Sequence, residues 1–323
     1  MAQILGLALP FFGLIFLGFI APRFRKISTD GLAWMNFFII YVALPALFFN
    51  LLAKTPVSDL ANWAFVFAST LGTYCAFALA FSIGVFATEG DIPESTIQGL
   101  AGAYGNIGYM GPGLAIAALG PEAAVPVAII FCFDNTLHFA MAPLMMAIGG
   151  QGGKRPAREL VLEVLKKIFT HPFIIATIVG VAAAIVQFQP PEPVQKLLDY
   201  LSNAAAPCAL FAMGVTVALA PRGSLPLVLG PLVFVKLLVH PVLVYLLLSW
   251  VGDFNPTWVY AAVLLAALPT ATNVFVIAQQ YHVWVARASS MVLVSTIVSV
   301  VTVTALLYLI ATGTLPPDLF PSK

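Results

Sequence analysis

Four ionisable residues stand in stretches of sequence that are otherwise apolar: Asp134, His138, Lys236 and His240. His138 follows Asp134 by four residues, and His240 follows Lys236 by four, so each pair falls on one face if its segment is helical. Two further stretches are rich in backbone-breaking and amide residues. One runs Tyr104-Gly105-Asn106-Ile107-Gly108-Tyr109-Met110-Gly111-Pro112-Gly113, the other Pro269-Thr270-Ala271-Thr272-Asn273. Glycine costs a helix interior about 1 kcal/mol and proline about 3 kcal/mol, so both stretches predict interrupted helices. A break exposes a new N-terminus whose free N–H groups attract anions, and a new C-terminus whose carbonyls attract cations. Asn106 and Asn273 add neutral donors and acceptors. The chemistry these residues suggest is recognition of a small ion, and the candidate binding residues are Asn106, Gly108, Tyr109, Gly111, Pro112, Pro269, Thr270, Thr272 and Asn273.

The elements that must position them are membrane helices. Of the 323 residues, 61% are hydrophobic and only 8% charged, against about 25% charged in soluble domains. Ten apolar runs approach the ~20 residues a span requires: Ile4–Ala21, Leu32–Leu52, Trp63–Ala87, Ile97–Leu119, Val125–Ile148, Phe173–Phe188, Leu197–Ala220, Leu225–Val251, Trp258–Gln280 and Val283–Ala311. The first run has no basic lead-in and no small-residue cleavage pattern, so it is read as a retained span. Cys75, Cys132 and Cys208 lie in apolar runs without metal-ligand spacing, and neither a disulfide nor a metal is expected.

Numbering the loops alternately puts Arg23, Arg25, Lys26, Lys154, Arg155, Arg158, Lys166, Lys167, Arg222 and Arg287 on one side, and Lys54, Lys196 and Lys323 on the other. By the positive-inside rule the basic stretch 149–167 is a cytoplasmic loop of a plasma (inner) membrane protein with both termini outside. Five spans precede that loop (residues 1–148) and five follow it (168–323), so the halves are expected to be inverted repeats. Leu44-Pro45-Ala46-Leu47-Phe48 in the second span and Ala206-Pro207-Cys208-Ala209-Leu210-Phe211 in the seventh fit that reading. The two interrupted spans, the fourth and ninth, then occupy matching places, as at the binding sites of secondary transporters. The expected fold is all-α and integral to the membrane, with helices four and nine broken and crossing.

The stretch Leu268-Pro269-Thr270-Ala271-Thr272-Asn273-Val274-Phe275-Val276-Ile277-Ala278-Gln279, followed by Ser289-Ser290 and Leu293-Val294-Ser295-Thr296, resembles the auxin efflux carrier family. Asn106-Ile107-Gly108-Tyr109-Met110-Gly111 and His171-Pro172-Phe173-Ile174-Ile175 resemble further motifs of that family, and the likeness runs over essentially the whole chain. It departs at one place: the family pattern has proline two positions after Gly111, where this chain has Gly113, with Pro112 before it. The resemblance implies a scaffold of spans one, two, six and seven and a transport domain of spans three to five and eight to ten. It also implies elevator-type movement of small organic anions such as auxin, malonate or malate, a homodimer, and a site lined by Asn106 and Asn273. A relationship in fold to bile acid sodium symporters is implied too.

Several roles stay open for the ionisable residues. Asp134 or His138 can carry a coupling proton, Lys236 can help neutralise an anion, or Asp134 and Lys236 can form an internal ion pair. A sodium site from Thr270, Thr272, Gln279 and Ser295 competes with ordinary packing roles for those hydroxyls. No arginine lies mid-span, so an anion must be held by helix N-termini and amides rather than by guanidinium forks. The lipid bilayer is the expected partner besides the substrate. No resident cofactor and no nucleic acid is expected. An intramembrane enzyme would need a catalytic constellation, a channel a filter motif, and a sensor a soluble effector domain; none is seen in the sequence.

Overall fold

A computed structural model describes residues 2–56, 62–151, 157–219 and 227–320. Of the basic residues used above for orientation, Lys154, Arg155, Arg222 and Lys323 lie outside the described residues. The described chain is helical, with one isolated backbone bridge and no strand. The helices are α1 (Ala2–Phe24), α2 (Thr29–Phe38), α3 (Leu44–Leu52), α4 (Trp63–Ala87), α5 (Ile92–Ala103), α6 (Gly111–Leu119), α7 (Ala124–Ile148), α8 (Ala157–Phe169), α9 (Pro172–Ile185), α10 (Glu192–Leu219), α11 (Leu229–Phe234), α12 (His240–Val251), α13 (Pro256–Ala267), α14 (Thr272–Tyr281) and α15 (Val285–Ala311). Among the described residues six helices are long and apolar enough to cross a bilayer, and Leu9–Phe24, Ile174–Ile185 and Pro256–Ala267 are shorter apolar helices. Large apolar side chains such as Trp34, Phe86, Trp250 and Val301 point away from the protein. That is the arrangement expected when hydrocarbon is the solvent.

Two of the long helices carry a π turn, and proline explains both. Ile39–Ala43 joins α2 to α3, and Val235–Val239 joins α11 to α12. Leu44 N–H reaches back five residues to Ile39 O, and His240 N–H reaches Val235 O. The next residue in each case is a proline, Pro45 or Pro241, which has no N–H to give and crowds the carbonyl four residues back. One extra residue in the turn relieves both problems. Pro207, which the sequence pairs with Pro45, lies inside the uninterrupted helix α10 and causes no such turn.

The stretch 149–167, expected as the loop between the two halves, has secondary structure of its own. Its second part is helix α8, an amphipathic segment whose charges hide the apolar period from a reading based on mean polarity.

Glycine sets the closest contact in the fold. α1 packs on α10 with Gly18 against Gly214, and a Cβ on Gly214 would stand 2.0 Å from Ile15 O, while one on Gly18 would stand 2.1 Å from Phe211 O. Such small-residue seams let membrane helices gain contact where no hydrophobic force drives them together. Gly214→Leu is expected to lower the detergent melting temperature sharply, since overpacking of this kind costs about 1–3 kcal/mol or more. Gly230→Ala, whose Cβ meets nothing within 4 Å, should leave the melting temperature level or slightly raised. Equal melting of the two variants would dismiss the seam.

Candidate functional site

The site is built where two helices stop. α5 ends at Ala103 and its continuation α6 starts at Gly111; α13 ends at Ala267 and its continuation α14 starts at Thr272. The extended residues between them pair with one another. Gly105 and Thr270 form an isolated antiparallel bridge, with Asn106 N–H donating to Pro269 O at 2.8 Å and Ala271 N–H donating to Tyr104 O at 2.9 Å. Side chains complete the joint. Thr270 Oγ1 donates to Ala101 O at 2.8 Å, capping a carbonyl at the end of α5, and Thr270 N–H donates to Ser295 Oγ at 3.1 Å. Gly105 gives room here, because a Cβ would sit tightly, 3.1 Å from Leu265 O and 3.3 Å from Lys236 Nζ.

A cavity of about 350 Å³ opens against this joint, near the lower end of the ~300–1,000 Å³ of small-molecule sites. Its walls come from both breaks (Tyr104 to Asn106, Gly108, Tyr109, and Ala271 to Asn273), from α7 (Phe131, Asn135, His138, Phe139), from Thr170-His171-Pro172 and from the far part of α14 (Gln280, Tyr281). No Asp, Glu, Lys or Arg is among the described residues that line it. The N-terminus of α14 faces the space, and its N-cap, Ala271, has no side chain with which to cap the first N–H groups.

Of the residues singled out from sequence, Asn106, Gly108, Tyr109, Thr272, Asn273 and His138 line the cavity. Pro269 and Thr270 build the joint instead, and Gly111 and Pro112 form the first turn of α6. Pro112 is thus at a helix start, where a missing N–H is harmless. Thr270 and Ser295 touch, but Gln279 lies on the exposed side of α14, seven positions past Thr272. Tyr104 and Asn135 are cavity residues absent from the candidates drawn from sequence. Asn273 Nδ2 donates to Tyr104 Oη at 2.9 Å, Tyr104 Oη donates to Asn135 Oδ1, and Asn135 Nδ2 donates to Phe131 O at 2.8 Å. An asparagine directly after the noted Asp134 was the available signal. Asn106 Nδ2 lies 2.7 Å from Met213 Sδ of α10.

The ionisable residues take two places. His138 stacks flat on Tyr104, with ring centroids 4.0 Å apart and planes 7° apart. Its ring nitrogens make no hydrogen bond to a side chain, the Asp134 carboxyl included, and Asp134 Oδ1 itself lacks a hydrogen-bond partner. Asp134, Lys236 and His240 lie behind the cavity wall, each buried. Asp134 and Lys236 form no direct ion pair; two side chains join them. Lys236 Nζ lies 3.2 Å from His240 Nδ1, His240 Nε2 lies 3.2 Å from Thr73 Oγ1, and Thr73 Oγ1 donates to Asp134 Oδ2 at 3.0 Å. Because an ammonium can only donate and Thr73 spends its proton on the carboxyl, His240 accepts at Nδ1 and donates from Nε2. Every bond in the chain then runs from the lysine toward the aspartate. The far side of Lys236 donates to Ala266 O at 2.5 Å, in the last turn of α13. A cation at a helix C-terminus is where the helix dipole favours one.

Comparisons with known proteins bear on the same chain. A family profile described as "Mem_trans: Membrane transport protein" matches residues 3–307. A protein of Rhizobium meliloti (strain 1021) named "Putative malonate transporter" is 57% identical over 321 residues, covering 99% of this chain and 100% of its own length. An "Uncharacterized transporter" of Methanothermobacter thermautotrophicus is 25% identical over 299 residues, covering 89% of this chain and 92% of its own. The "Lysosomal cholesterol signaling protein" of Mus musculus is 25% identical over 308 residues, covering 89% of this chain but 35% of its own length.

The Tyr104–Asn273 bond should be measurable without any ligand. Tyr104→Phe leaves Asn135 Oδ1 buried without its donor, at an expected cost of about 1–3 kcal/mol. In a double-mutant cycle with Asn273→Ala, read from denaturation of the purified protein in detergent, coupling of about 0.5–3 kcal/mol is expected for groups in one network. Additive effects would mean that the two side chains act independently.

Proposed function

The chain belongs to the Mem_trans family of membrane transport proteins, the auxin efflux carriers, and from that premise we propose that it is a carrier of small carboxylate anions, with malonate-sized dicarboxylates as the first candidates. One observation carries the reading: an uncapped helix N-terminus and the amides of Asn273 and Asn106 converge on a cavity whose described lining has no acidic side chain. Backbone N–H groups at the start of α14 supply partial positive charge, and Asn and Tyr side chains supply directional donors. Such a site holds a carboxylate without a fixed countercharge. The relative named for malonate, similar over its full length, supports a small dicarboxylate.

The same reading includes ten spans arranged as inverted halves, 1–148 and 168–323, with broken helices four and nine crossing. The basic stretch is cytoplasmic and both termini are outside. Spans one, two, six and seven act as scaffold, and spans three to five and eight to ten carry the site past it as an elevator. The tight Gly18–Gly214 seam between α1 and α10 supports a rigid scaffold, and the mutual pairing of the breaks supports a unit that travels whole. A homodimer belongs to this reading on family grounds alone. For coupling, a proton is favoured over sodium: Asp134 Oδ1 is buried without a hydrogen-bond partner, whereas Thr270 N–H already occupies Ser295 Oγ.

Purified protein in proteoliposomes should take up labelled malonate saturably in sodium-free buffer. Asn273→Asp places a negative charge at the helix N-terminus and should cut uptake at least tenfold, since repulsion between an added carboxylate and a bound anion in contact costs more than about 1.4 kcal/mol, a factor of ten. Uptake that requires sodium, or that ignores Asn273→Asp, would count against this reading. Asp134→Asn should remove the stimulation of uptake by an imposed pH gradient; an unchanged response takes Asp134 out of the proton path.

A further inference from the structure

No described side chain of helix α8 lines the cavity or belongs to the buried core, and its composition is unlike that of the helices around it. It runs Ala157–Phe169, thirteen residues, or about 20 Å at 1.5 Å per residue, too short for the ~30 Å hydrocarbon core. At 100° per residue, Val161, Leu162, Leu165 and Phe169 fall within about 100° of one another around the helix. All four are exposed, at 55%, 55%, 43% and 60%. Arg158 and Lys166 are exposed as well. Over residues 154–169 the sequence carries five basic residues against two acidic ones.

Two features say what covers the apolar stripe. The helix is bracketed in sequence by α7, a candidate span, and α9, an apolar helix, and it touches both, so it cannot leave the membrane's neighbourhood. Its charge is cationic, which complements anionic headgroups and not a second copy of the same basic segment. By angle, Arg158 lies within the apolar stripe, and Lys166 lies on the polar side with Glu159 and Glu163. A short helix with an exposed apolar stripe, in a cationic segment between two membrane helices, is the form that lies in a bilayer interface. There a long arginine side chain reaches from the stripe to the headgroups.

The helix also ends at the cavity. Thr170 N–H and Oγ1 both bond Lys166 O, at 2.9 Å and 2.7 Å, and Thr170-His171-Pro172 then form part of the cavity wall. His171 stacks against Phe139 with centroids 4.9 Å apart. Only Thr170 and His171 stand between the last turn of α8 and the start of α9, and Thr170 is bonded back to that turn.

We propose that α8 is an interfacial helix docked on an anionic bilayer surface, and that its seating positions the Thr170–Pro172 edge of the cavity. Each basic side chain near such a surface contributes about fivefold to binding. The lipid contact stands independently of the substrate; only the effect on the cavity rests on the carrier reading.

The test uses the full chain without its native cysteines, spin-labelled at Val161 or Lys166, in vesicles of phosphatidylcholine with or without phosphatidylglycerol. The Val161 label should collide with dissolved oxygen and be shielded from a water-soluble nickel chelate, and the Lys166 label should show the reverse. Both labels open to the chelate, or both shielded from both probes as on a protein partner, would overturn the docking. In unlabelled protein, phosphatidylglycerol should change malonate uptake severalfold, and Arg158→Glu with Lys166→Glu should abolish that change while keeping the rate in neutral vesicles. Uptake that is indifferent to lipid charge would overturn the link to the cavity. Absent malonate uptake would overturn the carrier reading and leave the collision result standing.

Discussion

Everything at the centre of this protein follows from the cost of an unpaired backbone group where water is absent. Each such group costs several kcal/mol in hydrocarbon, so a helix can be interrupted at depth only if something replaces its lost bonds. Here one interruption is the answer to the other. Asn106 N–H finds Pro269 O, Ala271 N–H finds Tyr104 O, and Thr270 repairs the end of α5 through Ala101 O. Neither break is stable without its partner, which ties the α5–α6 pair to the α13–α14 pair as one unit. The start of α14, whose N-cap Ala271 has no side chain to cap it, faces the cavity. The surplus bonding capacity that makes a site is thus what remains after the two breaks have repaired each other.

A second constraint is the charge behind the joint. A buried ammonium must be hydrogen-bonded and balanced, or its desolvation cost goes uncompensated. Lys236 meets this through three features at once. Its donors reach Ala266 O and His240, the α13 C-terminus supplies negative partial charge, and Thr73 and His240 relay it to Asp134. The π turn at Val235–Val239, forced by Pro241, holds Lys236 and also delivers His240 at its end. Gly105 lets the ammonium approach the joint. A proline, a glycine and a lysine far apart in sequence therefore serve one contact, and it lies within a few ångströms of the bridge between the breaks.

Much of this was legible from residue types. Gly and Pro clusters in apolar stretches predicted both interruptions, and the interruptions predicted the cavity, because helix ends must face something polar. Asn106, Tyr109, Thr272 and Asn273 were found this way. What escaped was of three physical kinds. Tyr104 looked like an ordinary span aromatic, since its hydroxyl matters only through Asn273 and Asn135, two elements distant in sequence. Asp134 and His138 share a helix face by spacing, but side-chain direction is set by neighbours, and Tyr104 draws the imidazole into a stack instead. Helix α8 was read as loop because average polarity is blind to period: seven large apolar residues are interleaved with five charged ones along it.

The absence of a charged group in the described lining has a consequence for how an anion is handled. A guanidinium would bind a carboxylate through paired, charge-assisted bonds, which raise affinity and slow release. A helix N-terminus with amide donors offers weaker attraction spread over several dipoles. It loses less when the anion leaves, because the vacated N–H groups are partial charges and not a stranded ion. The ionisable groups are kept one layer back, at Lys236 and Asp134, joined through His240 and Thr73 and outside the described cavity lining. A site organised in this way can empty without leaving a bare charge in a dry space. On the proposed reading that is the property a carrier needs more than tight binding, since its unloaded form must also cross the low-dielectric barrier to complete a cycle.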